Sequence, residues 1–61
     1  MTLYRSEKLW LVYETSRNRW VVQSLLTGRV VNIDQSDAEA MLGWGREDIR
    51  AFLEEALNEP S

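Results

Sequence analysis

Ten acidic side chains, and neither histidine nor cysteine, define the chemistry open to this 61-residue chain. Without imidazole or thiolate there is no Ser–His or Cys–His nucleophile pair, no disulfide and no Cys/His zinc site. Oxygen ligands and carboxylate acid/base groups remain. Asp34 and Asp37, three residues apart, offer donors to a hard cation, yet an EF-hand needs more oxygens and a glycine at a fixed position. The run Ser36-Asp37-Ala38-Glu39 reads more simply as a capping box, with the Ser36 hydroxyl accepting from the Glu39 amide and the Glu39 carboxylate reaching back. No metal site is expected. Glu47, Asp48, Glu54 and Glu55 are the obvious carboxylates for proton transfer, but no other polar groups converge on them and they fall opposite Ile49, Phe52 and Leu53. They are read as an acidic surface that steers a partner protein. No catalytic residue and no cofactor is expected, and the chain is not read as an enzyme.

The basic residues tell a second story. The formal net charge of −3 is unevenly spread: the first 33 residues hold five basic and two acidic side chains, the rest two basic and eight acidic. Arg17-Asn18-Arg19 beside Trp20 sets cations next to an aromatic plane, as in single-strand nucleic-acid binders. The segment Leu42-Gly43-Trp44-Gly45-Arg46-Glu47-Asp48-Ile49-Arg50 resembles the turn and second helix of a helix-turn-helix. The alternative these features open is a small DNA-binding regulator that uses the basic hairpin or this corner, with Arg17, Arg19, Arg29, Arg46 and Arg50 as its contacts. The acidic residues of the would-be recognition helix repel phosphate, so nucleic-acid binding is the lesser alternative and the segment is read as a helix–helix corner with Trp44 in the core.

These groups depend on elements that the pattern of apolar residues predicts. Leu9, Leu11 and Tyr13 alternate with Trp10, Val12 and Glu14, a period of two that specifies a strand. The polar cluster Thr15–Arg19 and then Trp20-Val21-Val22-Gln23 predict a hairpin, its register left open between two- and three-residue loops. Gly28 separates a second strand, ending in Leu25-Leu26-Thr27, from a third over Arg29–Ile33. From Ser36 the pattern becomes helical. Ala38, Met41 and Leu42 form one short apolar side, Gly43-Trp44-Gly45 breaks it, and Ile49, Phe52, Leu53, Ala56 and Leu57 repeat at helical spacing. Pro60 ends this longer helix near Asn58 or Glu59. The fold class expected is α+β: a three-stranded antiparallel meander over residues 9–33, then a short and a longer helix within 36–58 packed on one sheet face (β-β-β-α-α), with 1–8 as an N-terminal segment of a single 1–61 domain.

A sheet covered on one side normally turns polar residues outward. Here the first predicted strand is apolar on both sides. A chain this short also has little core, so that apolar burial and conformational entropy nearly cancel. Both arguments lead to a homodimer joined through the open sheet face, with Trp10, Val12, Trp20 and Val22 at or near the contact. The function expected is a small non-enzymatic protein-interaction or regulatory module. In size, acidity and lack of cysteine the chain is similar to the small accessory and inhibitor proteins of phages and mobile elements, a similarity of type that transfers no residue roles. No apolar run has the length of a membrane span, and the first seven residues lack a signal-peptide core, so a cytoplasmic location is expected and a membrane partner is not.

Overall fold

Three turns divide the first 33 residues into four strands, one more than the sequence pattern predicts. The computed structural model describes residues 1–58: β1 (Thr2–Arg5), β2 (Leu9–Glu14), β3 (Arg19–Ser24), β4 (Val30–Ile33), α1 (Gln35–Met41) and α2 (Arg46–Asn58). The class is α+β, a single antiparallel sheet in the order β1-β2-β3-β4 with two helices. The expected role of Pro60 lies outside the described residues.

The extra strand comes from the segment expected to precede the sheet. Ser6 makes the turn: its amide donates to Leu9 O at 2.8 Å, and its hydroxyl accepts from the amides of Lys8 and Leu9, each at 3.2 Å. A serine turn of this kind needs neither glycine nor proline. It brings Tyr4 opposite Leu11 and Arg5 opposite Trp10, with a bulge between Thr2 and Tyr4, and Tyr4 enters the core.

The β2–β3 turn is longer than either expected loop. Four residues, Thr15 to Asn18, separate the paired Glu14 and Arg19, and Asn18 takes a positive φ of 50°, the left-handed conformation that asparagine tolerates. The resulting register sets Tyr13 opposite Trp20, Leu11 opposite Val22 and Trp10 opposite Gln23. The next turn begins earlier than predicted, because the Ser24 hydroxyl accepts from the Thr27 amide at 3.2 Å and the Gly28 amide returns to Ser24 O at 2.8 Å. Leu25 and Leu26 therefore leave the strand and stand exposed. Gly28, at φ 81°, closes this turn in a conformation that a side chain would strain.

The capping box does not form. Asp34 is the N-cap of α1 through its backbone, with the Ala38 amide donating to Asp34 O at 3.0 Å and no side-chain cap bond. Gln35 instead binds Glu39, Nε2 to Oε2, at 3.1 Å, one turn apart on the helix surface. After Met41 the chain tightens: the amides of Leu42, Gly43 and Trp44 donate to the carbonyls of Glu39, Ala40 and Met41, bonds of i→i+3 type that end helices. The Ile49 amide reaches Gly45 O at 3.1 Å and starts α2, with Glu47 and Asp48 in the first turn, where acidic groups meet the positive end of the helix dipole. The core lies between the helices and one sheet face, where Leu11, Val22 and Leu53 are wholly buried and Trp20, Ile33, Met41, Ile49 and Leu57 surround them.

Candidate interaction surfaces

The register decides what each sheet face can present. Leu9, Leu11 and Tyr13 of β2 share the helix-covered face with Trp20 and Val22 of β3. Trp10 and Val12 lie on the other face, beside Val21, Gln23 and, from the outer strands, Thr2, Arg5 and Asn32. The expected quartet is thus split. Trp20 (8% exposed, with its ring edge-on to Tyr13 at 5.2 Å) and Val22 are core residues, withdrawn from any partner by the helices, and Trp10 and Val12 alone keep the open face.

That face covers itself to a degree the sequence did not suggest. Val21 is only 5% exposed although no helix lies over it. It pairs with Val12 and Asn32. Trp10 is tied down on the same face, its Nε1–H donating to Thr2 Oγ1 at 3.0 Å and its ring carrying the Arg5 guanidinium at 5.1 Å, a cation–π arrangement. At the hairpin end Arg19 Nε meets Glu14 Oε1 at 2.7 Å. This hydrogen bond, with the charges of Arg19 and Arg17, holds the Glu14 carboxyl below its ordinary pKa against the opposing pull of partial burial.

The acidic quartet of α2 is divided as well. Asp48 and Glu55 flank a shallow hollow floored by Trp44, Ala51 and Phe52. Glu54 belongs to the other side of the helix, beside Lys8 and Leu9, and Glu47 is exposed between them. Trp44 is not the core residue expected: it is 40% exposed and stands edge-on to Phe52 at 5.7 Å. Leu42, just before it, is 69% exposed. Sequence reasoning missed this exposure because Leu42 continues the apolar spacing of α1, whereas the i→i+3 turn after Met41 swings it out of the core.

The arginines of the nucleic-acid alternative do not share a face. Arg17 and Arg19 mark one end of the β2–β3 ladder, and Arg29 follows the turn at the other end, about 17–20 Å away for six-residue strands. Arg46 lies over the Tyr4 ring at 4.7 Å and donates through Nη2 to Arg5 O at 3.1 Å, so it fastens α2 to β1. Arg50 lines a small cleft with Glu7 and Glu54.

Asp34 and Asp37 lie at the start of α1, and among the described residues no group of three or more Asp, Glu, His or Cys is placed to hold a metal ion. A hollow of about 580 Å³, open to solvent, lies between the β3–β4 turn and the end of α2, lined by Lys8, Ser24, Leu26, Arg29, Glu54 and Leu57 among others. Among the described residues no helix is long and apolar enough to cross a membrane. Compared with known protein families, with curated proteins and with solved structures, the chain has no match.

Proposed function

We propose that this chain is a non-enzymatic protein-interaction module that docks a basic, apolar-anchored segment of a partner protein on the corner between α1 and α2. The observation that carries this reading is the exposure of Leu42 and Trp44 beside Phe52, with Asp48 and Glu55 on the rim. Exposed tryptophan next to a second aromatic gives a partner a rigid, amphipathic anchor, the residue type most enriched at binding hot spots. Carboxylates at the edge raise the encounter rate with a cationic segment and make it salt-sensitive. The dispersal of the arginines over opposite ends of the sheet and over α2 weighs against nucleic acid as the partner, since a phosphate backbone is met by a continuous basic footprint.

A random peptide display library panned against the immobilised chain tests this directly. Enriched sequences should combine Lys or Arg with a large apolar residue, and should bind Trp44→Ala about tenfold or more weakly. They should also weaken with Asp48→Lys and with added salt. Enrichment of acidic peptides, or of peptides that bind Trp44→Ala as well as the parent chain, overturns the reading.

A further inference from the structure

The sheet has two edges, β1 and β4, and they are finished differently. β1 is guarded. Its bulge between Thr2 and Tyr4 breaks the regular spacing of backbone groups, and the outward carbonyl of Arg5 is already taken by Arg46. Bulges and covering side chains are the usual defences of an edge against strand addition.

Among the described residues β4 has neither device. The Ser24 amide bonds Arg29 O at 2.8 Å, which makes Ser24–Arg29 a hydrogen-bonded pair. In an antiparallel ladder such pairs alternate with non-bonded ones, so Val22–Val31 and Trp20–Ile33 are the next bonded pairs in the observed register. The N–H and C=O groups of Val30 and Asn32 therefore point away from β3. The strand reads Val-Val-Asn-Ile, without lysine, proline or bulge, and Val30 is 51% exposed.

We infer that β4 is an addition edge whose occupant is β4 of a second copy of this chain, paired antiparallel about Val31. In that register Val30 faces Asn32 of the second copy, Val31 faces its equivalent on the two-fold axis, and the outward groups of Val30 and Asn32 form two doubly bonded pairs. The flanking charges choose the orientation. Asp34 follows β4, so antiparallel pairing holds the carboxylates of the two copies at opposite ends of the paired strands, whereas parallel pairing sets them side by side. The product is one continuous eight-stranded sheet with all four helices on one face, and it leaves the α1–α2 corner free for its partner. A four-residue edge is far smaller than a standard interface of ~1,600 Å², so the dimer dissociates on dilution.

Sedimentation from about 10 µM to about 1 mM reads the assembly, in the range where so small a contact binds. The parent chain should pass from monomer to dimer mass. Asn32→Pro removes an outward N–H without touching a bond to β3 and should stay monomeric, with an unchanged circular dichroism spectrum. Should that variant not fold, Val30→Lys leaves the backbone intact and should weaken the dimer about tenfold, as edge lysines discourage pairing. Amide exchange on the parent chain needs no variant: Val30 and Asn32 should slow with concentration while Leu3, on the guarded edge, does not. A monomer throughout, a dimer that survives both substitutions, a dimer lost in Trp10→Ala but kept in Asn32→Pro, or concentration-independent exchange at Val30 and Asn32 would each overturn the inference.

Discussion

Val21 and Val22 are neighbours in the chain, identical in type, and nearly inaccessible to solvent, yet they are buried by different means. Val22 lies under the helices, in the cluster with Leu11, Met41 and Leu53. Val21 lies on the face without helices, between Val12 and Asn32, where Trp10, Arg5 and the Glu14–Arg19 pair also sit. The first kind of burial comes from whole elements of secondary structure, the second from side chains folded over their own sheet. An apolar residue on the second face of a sheet does not by itself demand a second layer. A few long amphipathic side chains can supply the cover.

Substitutions separate the two kinds of burial. The largest effect is expected on the covered side, where Leu53→Ala empties a fully enclosed site and should cost about 2–5 kcal/mol, measured as a shift of the urea midpoint at constant slope. Val22→Ala should follow at roughly 2 kcal/mol, transfer and cavity contributions together. Val21→Ala should cost less, about 1 kcal/mol, because the overlying side chains can settle into the space. Equal losses for Val21 and Val22 would break the distinction and mean that something rigid closes the open face in solution. Trp10→Phe, which deletes the bond to Thr2 but keeps an aromatic surface under Arg5, should cost about 0.5–1 kcal/mol.

The smallest effect concerns the rim of the open face. The Glu14 carboxyl is held below its ordinary value in the folded chain, so the unfolded chain takes up its proton first as acid is added. The stabilisation from the Glu14–Arg19 pair is complete above the unfolded pKa and disappears as pH falls through the folded one. Thermal midpoints of the parent chain and Glu14→Gln should therefore differ slightly at neutral pH and converge in acid. A gap that persists down to about pH 2 would remove Glu14 from the account.

Much of this architecture was legible in the residues, and what was not has identifiable causes. Period-two alternation marks β2, the apolar run Trp20-Val21-Val22 marks β3, and Ile49, Leu53 and Leu57 mark the buried side of α2, because those signals come from the elements themselves. The first hairpin escaped notice since its turn is made by the Ser6 hydroxyl and carries no glycine, proline or asparagine. The division of faces escaped for a different reason. With Glu14 opposite Arg19, Trp10 meets Gln23 and shares a face with Val21; a register one residue away would have put Trp10 with Trp20 and Val22, as the sequence reading grouped them. That choice rests on a four-residue turn in which Asn18 adopts a left-handed conformation, a property of geometry more than of composition. The exposed corner at Leu42 and Trp44 escaped because apolar spacing cannot tell the last turn of a helix from the tight turn that follows it.

The order β1-β2-β3-β4 bears on how the chain comes to fold at all. Every strand pairs with its neighbour in sequence, so each step of sheet formation closes only a short loop and loses little chain entropy. Topologies of such local contacts fold quickly. A ladder can start at the β2–β3 hairpin and grow outward one strand at a time. Residues Ile49, Leu53 and Leu57, separated from the sheet by the whole of α1 and its corner, then arrive on a surface already in place.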